Sequence, residues 1–432
     1  MDRPTAGPRP TRPDDAPLFP MRTVVLGAFV PSLVFDVGTG AMLPIIVPTA
    51  VGLGADLATA GVVAALLPIG QILADLPAGS LAAKVGDRTA QILAGTVAAF
   101  AFLAAFLAPG LLTLGLAVAA TGAAAAVFNL ARHSYLTEVT PPMRRARVLS
   151  TLAGVHRIGQ FLGPFAGALV VHGGDVRNGF LLGVGAAAVA TAVLVGVRET
   201  APGDRPAETL RSRAAARREA ARTSPPPPTL LGVLRDHRRV FTSLGIAVLL
   251  VGAVRGARQT VIPLWGEHLG LDASTTSLIF GLAGGVDMLL FYPAGKVMDH
   301  LGRLWIGVPS MLVMGLSMVL LPFTDSVAEV CVAAALMGLG NGMSSGILMT
   351  LGSDVSPATG RAQFLGVWRV LQDSGSALGP LVVSAGAALG SVAAGVWATG
   401  VLGAAATGAL ARWVPRWSVH ANRTTRRRAG LV

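Results

Sequence analysis

Eleven ionisable side chains lie inside otherwise apolar stretches of this 432-residue chain: Asp36, Asp75, Arg132, His133, His156, Arg157, Arg255, Arg258, Asp287, Arg369 and Asp373. A charge at the centre of a membrane-embedded helix costs about 2.5–3.5 kcal/mol on insertion scales, so such groups face protein or water and mark ion or solute paths. The set contains four aspartates, five arginines and two histidines. Its available chemistry is proton exchange at carboxylates and imidazoles, and neutralisation or anion binding at guanidiniums. Asp36 sits mid-stretch in "FDVGTG", beside glycine-rich backbone. It is the first candidate for proton coupling, because burial and nearby arginines act on a carboxylate in opposite senses. The alternative is a permanent salt bridge to an arginine such as Arg255 or Arg258. Asp287 and Asp373 are the further proton-coupling candidates, and Asp75, near the end of its stretch, is expected to be structural. Arg132 is expected to snorkel to the interface.

Arg255 and Arg258 are three residues apart and share a helix face. They either bind an anionic group of a solute or neutralise Asp36 and Asp287. Arg157, Gln160, Gln259, Asn341, Arg369 and Gln372 complete the candidate lining of a cavity. Gly159, Gly163 and Gly167 recur every four residues and form a small-residue stripe, with Pro164 inside it; Gly375, Gly379 and Pro380 repeat the pattern. Such stripes let helices pack backbone to backbone. Arg157 and Asp373 each precede their stripe by two residues, about 200° around a helix. They are expected either to face each other across the cavity, or to leave Asp373 paired locally with Arg369 one turn away.

These groups need an apolar frame. The chain is 53% hydrophobic and 13% charged, with 54 glycines and 28 prolines; soluble domains carry about 25% charged residues. Mean hydropathy is +0.65. Twelve apolar stretches, each long enough to cross about 30 Å of hydrocarbon, are expected near residues 24–48, 58–82, 90–108, 111–132, 148–171, 178–198, 241–265, 274–297, 304–323, 328–350, 362–386 and 391–413. The third, sixth, ninth and twelfth have no interior charge and suit lipid. The others are expected to line the cavity. Residues 1–20 lack a hydrophobic leader core, and the first stretch is read as an uncleaved span. The single cysteine, Cys331, excludes an internal disulfide, and the seven histidines are scattered without metal-ligand spacing. No cofactor or metal is expected. No phosphate-binding GxxxxGK[ST] segment occurs, which argues against ATP hydrolysis, and no nucleophile constellation points to an enzyme.

The net charge of +12 sits in loops and tails rather than in a nucleic-acid-binding face. Ten arginines fall between Arg198 and Arg239. By the positive-inside rule, both termini and this linker are expected in the cytoplasm, the linker meeting anionic lipids if its basic part lies on the membrane; loops rich in Ala, Arg and Pro point to a bacterial cytoplasmic membrane. The chain is also a repeat at an offset of 216. Asp56 matches Asp272, Pro77-Ala78-Gly79 matches Pro293-Ala294-Gly295, "TEVTPPMRRA" matches "SDVSPATGRA", and the glycine stripes match each other. The expected organisation is a tail (1–20), a six-helix bundle (21–198), a basic linker (199–239), a second six-helix bundle (240–414) and a basic tail (415–432).

"FYPAGKVMDHLGR" and its partner "LPAGSLAAKVGDR" resemble the G-x-L-A-D-R-x-G-R loop of the major facilitator superfamily. Gly295, Asp299, Gly302 and Arg303 fit it; Gly79, Lys84, Gly86 and Arg88 fit the first copy, where Ala83 replaces the aspartate. "GQFLGPFAG" resembles the G-x-x-x-G-P-x-x-G helix of drug:proton antiporters, although Val118 stands near the place of that branch's arginine in the fourth helix. The resemblance implies an all-α membrane fold of two pseudo-symmetric six-helix bundles working as a secondary transporter. It also implies that Asp299 clamps the start of the fifth helix, near Arg145 and Arg147. The expected activity is proton-coupled efflux of an amphipathic small molecule by a monomer, with transport of an organic anion or a sugar as the alternative. Five in-span arginines against four aspartates suit a purely cationic solute poorly. A non-transporting sensor would be expected to lose the in-span charges or to gain a large domain.

Overall fold

The computed structural model describes residues 24–140, 145–197, 230–357 and 359–430. The N-terminal tail and most of the basic linker lie outside the described residues. The described chain forms twelve helical rods. They are α1 (Val25–Gly52), α2 (Leu57–Val85), α3 (Asp87–Phe106), α4 (Leu111–Val139), α5 (Arg145–Val171), α6 (Asn178–Gly196), α7 (Leu244–His268), α8 (Ala273–Leu301), α9 (Leu304–Phe323), α10 (Val327–Val355), α11 (Arg361–Ala388) and α12 (Val392–Trp417). Ten are long and apolar enough to cross a membrane; α5 and α11, at 27 and 28 residues, have the length but carry too many polar residues. Those two hold the small-residue stripes and several of the in-span charges.

The repeat recurs in the local structure. Asp56 and Asp272 cap α2 and α8 alike, accepting from the backbone N–H of Thr59 (2.7 Å) and Thr275 (2.9 Å). The Thr275 hydroxyl also donates to Asp272 at 2.6 Å, and these bonds hold the Asp272 carboxyl below its ordinary range. Gly86 and Gly302 end α2 and α8 at φ of 87° and 107°, a backbone region open chiefly to glycine.

The first bundle is built on α1 against α5 and α6, and α2 against α4. The second is built on α7 against α11 and α12, and α8 against α10. Between bundles, α2 packs on α11, α5 on α8, and α1 and α2 on α7. The helices free of interior charge lie outside, with Phe100, Val189, Leu316 and Val401 exposed on α3, α6, α9 and α12. At the end away from the termini the bundles are packed closely. Ser274 donates to the Ala168 carbonyl at 3.1 Å, and a Cβ on Gly281 would lie 2.7 Å from Phe165.

The glycine stripes lie against the backbone of neighbouring helices. A Cβ on Gly375 or Gly379 would sit 2.1 Å from the carbonyl oxygen of Leu249 or Ala253 in α7, and one on Gly163 would sit 2.6 Å from α1 backbone. Backbone cannot move aside as a side chain can. Gly379→Ala is therefore expected to cost at least about 1–3 kcal/mol by overpacking, read as a lowered melting temperature in detergent. Gly408→Ala, where nothing lies within 4 Å, should be neutral or stabilising.

The paired loops tie helix ends together within each bundle. Arg88 donates to the carbonyls of Leu194 (2.8 Å) and Val197 (2.6 Å) at the end of α6. Arg303 pairs with Asp354 of α10 at 3.0 Å, and the Ser418 hydroxyl joins the same carboxylate. The expected clamp by Asp299 is not formed among the described residues. Its carboxylate is exposed, its carbonyl accepts from Arg426 at 2.8 Å, and Arg145 turns instead to the Thr140 carbonyl at 3.1 Å. Lys84 is exposed, and Cβ atoms on Gly79 and Gly295 would meet open space or a contact at 3.8 Å. Within the expected basic tail, α12 runs on to Trp417, and a short helix, Arg423–Arg428, packs over the α8–α9 loop.

Candidate functional site

A cavity of about 340 Å³ lies between the bundles, lined by α1, α2, α4, α5, α7, α8 and α10. No lining residue comes from the outer helices. Of the expected lining set, Asp36, Arg157, Gln160, Arg255, Arg258, Gln259, Asp287 and Asn341 are there. Arg369, Gln372 and Asp373 are not. The stripe of α11 packs on α7, where Gln372 presents its carbonyl to Gly252, and the α11 charges turn toward α2.

Asp36 occupies the central straight part of α1, Val30–Met42, and is 2% exposed. A Cβ on Gly159 would lie 2.5 Å from the Asp36 Cβ, so the absence of a side chain there lets α5 reach the carboxylate. Arg132 Nη1 of α4 donates to Asp36 Oδ2 at 3.2 Å. His156 Nδ1 lies 3.0 Å from Oδ1, at ion-pair distance but not aligned as a hydrogen bond. The His156 side chain is 42% exposed, so Asp36 meets water through the imidazole. Asp36 is thus salt-bridged to an arginine, but to Arg132 rather than Arg255 or Arg258. One expectation is corrected: Arg132 does not snorkel but is 2% exposed. The apolar stretch ends at residue 132, yet α4 continues to Val139, which keeps Arg132 well inside the helix. Gln160 joins α5 to α1 by donating to Thr39 Oγ1 at 3.0 Å, and Phe35 stacks on Phe128 at 4.3 Å beside the carboxylate.

The second cluster joins the bundles. Arg157 of α5 donates to Asp287 Oδ1 of α8 at 2.7 Å and also bonds the Ser345 hydroxyl. The Arg157 guanidinium lies 4.5 Å over the Phe291 ring, a cation–π contact. Asn341 Nδ2 donates to Asp287 Oδ2 at 2.6 Å, and Arg255 Nε donates to Asn341 Oδ1 at 3.0 Å. Arg258 approaches Asp287 only to 3.9 Å. Arg157 therefore faces Asp287 rather than Asp373, because α5 neighbours α8 across the interface while α11 neighbours α2. Asp373 takes the local alternative, 3.4 Å from Arg369, and Arg369 also reaches Asp75 of the other bundle at 3.3 Å. Asp75 thus joins the bundles as well.

Ser345 was not among the residues singled out from the sequence. It lies where α10 breaks at Ser344, Ser345 and Gly346, the glycine having φ of 77°. The polar "SSG" run inside an apolar stretch is the signal that marks it. Among the described residues no group of three or more histidine, cysteine or acidic side chains could hold a metal.

The fold matches solved membrane transporters. The chain superposes on a POT family transporter in complex with a thioalcohol-conjugated peptide (TM-score 0.71, 15% identity, 91% of this chain and 96% of that one). It superposes similarly on the xylose transporter XylE from E. coli in an inward-open conformation (0.67, 15%, 91% and 96%). The nucleoside transporter NupG matches at 0.67 and 14% identity, over 89% of this chain and 97% of that one. At these identities the likeness is one of fold. No curated protein sequence matches the chain. The family model of the Major Facilitator Superfamily matches residues 28–380. With twelve rods in two repeated bundles around a charged cavity, the chain belongs to the Major Facilitator Superfamily of multi-pass membrane transporters.

Proposed function

We propose that this protein is a secondary active transporter that couples movement of a small amphipathic solute to protons through Asp36 and His156. The two bundles would rock about the cavity and expose it alternately to each side. One observation carries the reading: a buried carboxylate on α1 is held between a buried guanidinium and an imidazole that opens to water. An imidazole holds a proton on one ring nitrogen when neutral and on both when charged. Protonated His156 gives Asp36 a second cation; neutral His156 leaves it with Arg132 alone. A helix shift that separates α5 from α1 would change which state is favoured. One proton moving through about 150 mV would supply roughly 3.5 kcal/mol, at about 2.3 kcal/mol per 100 mV.

The distribution of loop arginines supports an orientation with both termini in the cytoplasm, and loops rich in Ala, Arg and Pro suit a bacterial cytoplasmic membrane. The likeness of "GQFLGPFAG" to drug:proton antiporters supports outward movement of the solute. In liposomes with a trapped pH dye, imposed gradients of aromatic acids, amides and amines should drive proton movement in the wild type, its sign distinguishing antiport from symport. His156→Gln should lose the solute-dependent proton movement while the Asp36–Arg132 pair keeps the fold. Undiminished proton movement in His156→Gln would overturn the assignment.

A further inference from the structure

We propose that the solute is an organic anion whose carboxylate is taken up by Arg258 and Arg255. This rests on reading the cavity as the transport site. Three guanidiniums, those of Arg157, Arg255 and Arg258, line the cavity with two carboxylates, Asp36 and Asp287, and only Asp287 lies among them. That carboxylate is already committed: Oδ1 accepts from Arg157 and Oδ2 from Asn341. Asp36 is committed to Arg132 and His156 in the other bundle.

Arg258 is left over. It is only 9% exposed, and its Nε and Nη1 are buried with no hydrogen-bond partner. Its one approach to a carboxylate, 3.9 Å, is beyond hydrogen-bond distance. Arg255 bonds the neutral Asn341 and has no carboxylate within ion-pair distance among the described residues. Leaving a buried charged donor unpaired is costly, and a guanidinium fork matches a carboxylate with two parallel bonds. The site therefore holds unspent donors of one chemical kind, one turn apart on α7. The lining also carries apolar side chains, among them Phe161, Phe280 and Met288. An acid with an aromatic or aliphatic body satisfies both surfaces, whereas an amine would meet three guanidiniums.

The test uses the full-length protein in detergent and matched pairs: acetate and acetamide, benzoate and benzamide, 2-naphthoate and 2-naphthamide, with benzylamine as the cation. Calorimetric Kd values should show at least one acid binding about tenfold or more tighter than its amide, and benzylamine binding weakest. Arg258→Gln should abolish that preference. Arg255→Gln, which breaks no ion pair, should weaken it, and the exposed Arg428→Gln should leave it unchanged. If no acid binds tighter than its amide, or if the preference survives both α7 substitutions, the inference falls. Proton movement separates the two readings. Loss of acid preference with His156-dependent proton flux intact overturns the anion site alone, and acid preference without that flux overturns the coupling assignment alone.

Discussion

Asp36→Asn is expected to destabilise the protein by about 3–5 kcal/mol, the usual penalty for stranding one partner of a buried ion pair. The side chains of Asp36 and Arg132 are 2% and 3% exposed, so water cannot compensate the arginine left behind. Arg132 Nε already has no partner, and the lost carboxylate is its only ion pair among the described residues. The asparagine keeps the shape of the side chain, which matters because α5 packs closely here: a Cβ on Gly159 would lie 2.5 Å from the Asp36 Cβ. The double variant Asp36→Asn/Arg132→Gln removes both charges and should recover most of the lost stability. A melting-temperature cycle over wild type, both single variants and the double should therefore show strong non-additivity. Stability alone does not restore function: the double variant should fold yet move no protons. Additive losses would show that the pair is not a unit, and proton movement in the double variant would remove Asp36 from the coupling path.

The sequence made the frame of this site legible and left its wiring open. An offset of 216 relates the paired caps Asp56 and Asp272, because capping depends on a few neighbouring residues. The glycine stripes were legible for a similar reason: spacing on one helix fixes a face. Spacing also showed that Arg369 could reach Asp373, an i,i+4 pair. It could not say which helix lies opposite. Arg157 and Asp373 are equivalent in the repeat, yet α5 meets α8 and α11 meets α2, so pseudo-symmetry sends each charge to a different helix, not to its counterpart. Arg132 was misplaced because an apolar run is shorter than the helix that contains it. The break in α10 that presents Ser345 is a backbone event without periodic signature.

Asp287→Asn should abolish transport and cost about 2–3 kcal/mol of stability, more than Arg157→Gln, although the two residues share one ion pair. Hydrogen bonds to charged groups are worth about 1.5–3 kcal/mol, and the partly wet cavity, where the two side chains are 13% and 17% exposed, argues against the larger penalty of a dry site. The asymmetry comes from the surroundings. Without Asp287, Arg157, Arg255 and Arg258 face one another around the cavity with no carboxylate among them. Without Arg157, Asp287 keeps the amide of Asn341 and the approach of Arg258. The same reasoning predicts that the exchange Arg157→Asp/Asp287→Arg fails to restore uptake into liposomes, since the new arginine joins Arg255 and Arg258 on their own side. Rescue by the exchange, or a larger loss of stability in Arg157→Gln than in Asp287→Asn, would show that Asp287 serves Arg157 alone. The excess positive charge on α7 would then need another counter-ion, and the case for an anionic solute would lose its electrostatic ground.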